Sequence, residues 1–173
     1  MSTLSWTSPS ADLLAPPVAR ALAYWQRAVD VQGAEIDPDL ADTAAFCERY
    51  DIALGESANC VVIAGRRGEL TTYAACMVLA TTRADVNGVV RKLLGARKAS
   101  FAPMDDAVGL TGMEYGGITP IGLPGTWPIL VDAAVAEADW VVIGSGLRRS
   151  KLSLPGSALA ELPNAQVVDG LAG

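Results

Sequence analysis

Apolar residues at Leu14, Val18, Leu22, Trp25 and Val29 recur at helical spacing, and Pro16 and Pro17 stand where a first turn tolerates proline. The pattern predicts an amphipathic helix over 14–29, ended by Val31-Gln-Gly33. Asp37-Pro38 opens a second helix that stops near Tyr50, with Leu40, Ala44, Phe46 and Cys47 turned inward. The pattern then changes. An apolar run over 60–63, a turn over 65–68 and a second apolar run over 71–81 read as a strand pair. Val86, Val89, Val90 and Leu93 share one side of a helix over 85–94, which Gly95 stops. A strand over 99–101, a helix from 103 to near 112, a strand over 128–131 and a helix over 133–138 follow. Strands over 140–143 and 152–154, a helix over 157–162 and an edge strand over 165–168 complete the order. Helices and short strands mix irregularly, which suits an α+β domain better than regular βαβ repeats.

At 173 residues the chain predicts a single domain. Its organisation reads as a loose, polar terminus over 1–13, a helical extension over 14–51 and a core over 52–160. Hydrophobic residues make up 51% and charged residues 18%, below the usual ~25%, so the chain has the means to bury a core. Histidine is absent. That excludes a Ser-His-Asp or Cys-His nucleophile pair, an imidazole base and a His-ligated zinc. Catalysis must run on carboxylates, Lys, Tyr, Cys, hydroxyls or backbone groups. Cys47, Cys60 and Cys76 form no CxxC pair, so neither a metal site nor a disulfide scaffold is expected. The N-terminus lacks the basic and apolar regions of a secretory leader, and no stretch is both long and apolar enough to span a bilayer. The expectation is a cytoplasmic protein with no cofactor and no membrane partner.

The net charge of -6 is uneven. Residues 1–58 carry all of it. Residues 64–98 instead hold Arg66, Arg67, Arg83, Arg91, Lys92, Arg97 and Lys98 against Glu69 and Asp85. Such a patch engages phosphates or is simply a solvated face. Gly144-Ser-Gly146 follows an apolar strand, but the third glycine of a dinucleotide fingerprint is Arg149. The segment 116–125 packs four Gly and two Pro into ten residues. It reads either as a tight connection or as a loop whose bare backbone N–H groups converge on a carbonyl or oxyanion.

At this loop the chain resembles the YbaK/ProX family of aminoacyl-tRNA deacylases, relatives of the editing domain inserted in prolyl-tRNA synthetases. The residues that carry the resemblance keep order and spacing over 52–160. They are the segment Asp85 to Ser100 with Leu94-Gly-Ala-Arg97, then Thr111-Gly-Met-Glu-Tyr-Gly-Gly-Ile-Thr-Pro-Ile-Gly122. Pro128-Ile-Leu-Val-Asp132 and Gly144-Ser-Gly146 with Arg148 follow. The resemblance implies a mixed, strongly curved β-sheet flanked by helices. It implies hydrolysis of the ester joining a wrong amino acid to the 3′ end of a tRNA, with no side-chain nucleophile, no metal and a water positioned by the loop. A methylene gives synthetases only about 1–3 kcal/mol of discrimination, so a second sieve is needed.

The residues carried over are Asn59, Gly116, Gly117, Pro120 and Asp132 for catalysis. For substrate binding they are Thr119, Gly122, Gly144, Ser145, Gly146, Lys98 and Arg148. The implied partner is the tRNA acceptor end, with an aminoacyl-tRNA synthetase as a further one. Asn59 departs from the family pattern, which has lysine there. Three readings stay open: another basic group (Lys98, Arg97 or Lys151) takes over, the substrate differs, or the fold binds a tRNA end, nucleotide or amino-acid-like ligand without cutting.

Overall fold

The computed structural model describes residues 4–173. Five strands form the larger sheet. β2 (Ala58–Arg67) and β3 (Leu70–Leu79) make a long hairpin, after β1 (Gln32–Glu35) has joined a separate sheet. β4 (Lys98–Phe101) runs antiparallel along β2, β5 (Ile129–Asp132) parallel along β3, and β8 (Ala165–Val168) parallel along β5, giving the order β4-β2-β3-β5-β8. The smaller sheet is antiparallel, with β7 (Ser150–Leu154) between β1 and β6 (Val141–Gly144). A single parallel bridge, Ser57 to Val142, links the two. The mixed sheet with flanking helices agrees with the α+β expectation, but the strands divide into two sheets.

Alternation shows that both faces are covered. On β6, Val141 and Ile143 join the central core while Val142 joins a second cluster with Phe46, Tyr50 and Ile36. On β5, Ile129 and Val131 face the central core and Leu130 the opposite side, with Ile63, Cys76 and Val90. The central core sits where both sheets meet α1 (Pro16–Leu22) and α6 (Gly156–Leu159), around Val18, Met77, Leu152 and Leu159. α2 (Thr43–Tyr50) covers the outside of the small sheet. The turn Val86–Val90 and α3 (Arg91–Leu93) cover the large one.

The long helix expected over 14–29 is broken. α1 stops at Leu22, Trp25 is extended, and a 3₁₀ segment, Gln26–Asp30, puts Val29 in solvent at 88% exposure. The apolar spacing continued past the true end by coincidence. The extension over 14–51 therefore contains a strand, β1. Its small residues Gly33 and Ala34 give little β signal, yet they are buried while Gln32 and Glu35 are exposed. Gly33 packs closely there: a Cβ would lie 3.0 Å from that of Pro9. The second helix likewise divides into a 3₁₀ turn, Pro38–Leu40, and α2. In the helix expected over 85–94 the first turn is π-wound, and Asp85 accepts from the N–H groups of Gly88 at 3.1 Å and Val89 at 3.2 Å. The hairpin turn falls at Gly68-Glu69, later than expected, with Gly68 at φ +62°.

Of the terminus expected to be loose, residues 1–3 lie outside the described residues. Beyond them, Thr7 bridges Gly33 and Trp6 meets Trp140 edge-on at 5.7 Å. Among the described residues, no helix is long and apolar enough to cross a membrane.

Leu152 is fully buried in the middle strand of the small sheet. Leu152→Ala is expected to cost about 2–5 kcal/mol, read as a lower urea midpoint with an unchanged slope.

Candidate active site

Two loops from distant parts of the chain are fastened back to back. α4 (Met104–Thr111) ends at Gly112, whose φ of +69° turns the chain out of the helix. Gly116 follows with φ +91°. The Gly146 N–H donates to the Gly117 carbonyl at 2.6 Å, and the Glu114 N–H donates to the Gly146 carbonyl at 2.8 Å. There is no room for side chains between them. A Cβ on Gly117 would lie 2.6 Å from the Leu147 oxygen, and one on Gly144 2.5 Å from the Gly117 oxygen.

Polar side chains complete the fastening. Arg148 donates from its backbone N–H to Glu114 Oε1 at 2.7 Å. Its guanidinium donates to the Tyr115 carbonyl at 3.0 Å and the Pro38 carbonyl at 3.1 Å, and lies 3.9 Å from Asp42. The Ser145 hydroxyl is buried and bound to the Ser150 hydroxyl at 2.6 Å, while the Leu147 N–H donates to it at 3.1 Å.

Beside this junction opens a cleft of about 400 Å³. Asn59 and Cys60 line it from β2, Phe101 from β4, and Asp42 and Thr43 from the start of α2. Gly116 and Ile118 come from the loop, Gly144 from β6 and Lys151 from β7. The Thr43 hydroxyl donates to Asn59 Oδ1 at 2.6 Å, which fixes the amide. Burial pushes the Cys60 thiol well above its ordinary pKa, so it is no ready nucleophile.

Lys151 is 8% exposed. Its Nζ donates to the Ala41 carbonyl at 3.0 Å and sits 5.2 Å from the centre of the Phe46 ring. Desolvation, the largest influence, brings its pKa down from 10.5 to about 8. Arg148 adds to that, while Cys47 and Asp42 oppose it.

The structure thus brings Asn59, Gly116 and Gly144 together at one cleft, with Gly117, Ser145, Gly146 and Arg148 as the junction behind it. The other residues expected at the site lie elsewhere. Thr119 is fully buried with an unpartnered hydroxyl and lines no described cavity. Pro120 and Gly122 line a second cavity of about 490 Å³, on the side of Trp25 and Trp127. Asp132 is buried at the start of α5 (Ala133–Ala136) and lines neither cavity. Lys98 is exposed on β4 opposite Arg66, outside the cleft. Of the three basic groups weighed as stand-ins at Asn59, only Lys151 lines the cleft. Thr43 and Asp42 were not expected there, because nothing in the spacing of residues 40–50 distinguishes a cleft wall from an ordinary helix start.

A family model for the aminoacyl-tRNA editing domain matches residues 37–162. The chain belongs to the aminoacyl-tRNA editing domain family. The match takes in every residue named above as lining the cleft. Solved structures agree on the fold of this editing domain. A candidate trans-editing enzyme for prolyl-tRNA synthetase is similar, with a TM-score of 0.75 and 22% identity, covering 90% of this chain and 97% of that one. The hypothetical protein APE2540 is similar at TM-score 0.78 and 18% identity, covering 91% and 99%. At these identities the likeness speaks for the fold alone.

An ammonium held at a pKa near 8 in the folded editing domain and 10.5 in the unfolded chain weakens the fold wherever both states are charged. The penalty is on the order of 3 kcal/mol below pH 8. It fades between pH 8 and 10.5, where the unfolded chain still holds the proton that the folded one has lost. Lys151→Met is therefore expected to melt at a higher temperature than the natural sequence at pH 7. Thermal unfolding should show that gap closing as the pH rises toward 10.5.

Proposed function

We propose that this editing domain is a trans-editing hydrolase that cleaves the ester of mischarged aminoacyl-tRNA. The observation that carries the reading is the cleft at the junction of the two glycine-bearing loops, within a chain of the editing family. In this reading the terminal aminoacyl-adenosine enters the cleft. The backbone of the loop at its Gly116–Ile118 end positions the attacking water, and the Asn59 amide, anchored on Thr43, holds the ester end. No side chain is acylated. A cleft of about 400 Å³ suits a small aminoacyl group and discriminates by size.

Arg66, Arg67, Arg97 and Lys98 gather where β2 and β4 end together, with Arg66 and Lys98 in register and the Arg97 N–H donating to the Arg66 carbonyl at 2.9 Å. Like charges directly across a sheet are unfavourable by themselves. Phosphates of the acceptor stem would relieve them, so the tRNA end is the partner this surface suits. A synthetase that hands over the tRNA is a further partner.

One observation favours a second reading. Asn59 is neutral where the family pattern has lysine, and a domain that binds tRNA ends without cutting would tolerate that change. A panel of mischarged tRNAs separates the two. The hydrolase reading expects turnover that weakens with salt and falls at least about tenfold in Asn59→Ala. Saturable tRNA binding with no turnover by the natural sequence, and turnover gained in Asn59→Lys, would establish the binding reading instead.

A further inference from the structure

Among the residues that line the cleft, Lys151 is the one cation. Its position is fixed on three sides. In β7 it is the register partner of Gly144 on β6 and of Ala34 on β1, and its Nζ is tied to the Ala41 carbonyl at 3.0 Å. Of its three N–H donors, that bond uses one. Among the described residues no carboxylate lies within ion-pair distance of it, although Asp42 lines the same cleft.

A lysine with a merely structural role extends its head to water along an apolar stem. This one is buried, and a buried ammonium whose partners are one carbonyl and the face of the Phe46 ring, with no carboxylate, is unfavourable for the fold. Its Cα is paired with that of Gly144, whose backbone is pressed against the Gly117 carbonyl. The charge therefore stands at the wall of the cleft formed by the loop junction, away from the exposed cations on β4.

We infer that Lys151 is the catalytic cation of the cleft, its ammonium facing the oxyanion formed on the ester carbonyl. The inference rests on the hydrolase reading above. Water oxygen bonds to the carbonyl carbon, and the carbonyl π pair moves to oxygen opposite the ammonium. One water proton passes to solvent. When the oxyanion collapses, the carbon–oxygen bond to the ribose breaks, and the ribose oxygen leaves with a proton taken from water. The carboxylic acid left by the collapse then ionises, so the products are a free carboxylate, a ribose hydroxyl and, in net, one released proton. A fixed cation in a partly dry site stabilises such a charge without reorganising. The other charged and titratable groups around it are Asp42 before α2, Cys47 on α2 and Arg148 after β6. Lys151 must hold its proton to act, so activity should decline as the pH passes about 8.

Lys151→Met tests this, with the thermal melt above verifying that the variant folds. The natural sequence and the variant are compared on a mischarged tRNA, with the spontaneous rate subtracted. Binding of a non-hydrolysable 3′-aminoacylamido-adenosine is measured in parallel by calorimetry. The expected result is a kcat lower by about 100- to 1,000-fold with analogue affinity within a few-fold, because the contact forms only in the transition state. The decline above pH 8 should also vanish from the residual rate. An unchanged kcat, or loss of analogue binding in step with kcat, overturns the inference and leaves the hydrolase reading standing. No turnover and no analogue binding by the natural sequence overturns that reading, and this inference with it.

Discussion

Where Gly146 donates its N–H to the carbonyl of Gly117, two loops some thirty residues apart touch through bare backbone. The rest of the site is arranged around that contact. It requires glycine at 117 and 144, because a Cβ at either would run into a backbone oxygen, and it sets Gly116 and Gly144 side by side on one cleft wall. Arg148 belongs to the same device. Its guanidinium bridges the loop to the segment before α2, which makes it a fastener of the cleft and removes it from any pool of free cations.

Around this junction the fold places groups of opposite character. Asn59 is neutral, and its amide oxygen is satisfied by Thr43. Lys151 is charged, buried and poorly partnered. The second is a local cost that central packing around Val18, Met77 and Leu152 must absorb. The two sheets make this tolerable. Each has both faces covered, so the cleft opens at their junction and leaves the central core intact.

Much of this was legible in the residues. The hairpin, the helix after Asp85, the glycine-bearing loop and the strand before Gly144 all carry local signals. Apolar runs, helical spacing and turn glycines report on near neighbours. The family pattern pointed to Asn59, Gly116 and Gly144. Failures came where long-range packing decides. β1 is a strand because β7 pairs with it, although its own residues scarcely ask for one. Thr119, Pro120 and Gly122 sit in the right loop but face inward or toward the second cavity, because positive φ at Gly116 and Gly122 redirects the chain in ways that spacing does not encode. Lys151 stood in the sequence as one base among several. Only the register Gly144 to Lys151 picks it out.

The pairing of β1 with β7 has a bearing on how the protein is made. Glu35 finds its partner at Ser150, and Asp42 and Lys151 share one cleft wall although more than a hundred residues separate them. On a ribosome the first strand must wait for its partner β7 until more than a hundred further residues have been made. Contacts of such long sequence separation slow folding and leave early segments exposed in the meantime. The walls supplied by residues 41–118 are made first, and the cleft closes into a site only when Ile143, Gly144 and Lys151 follow them.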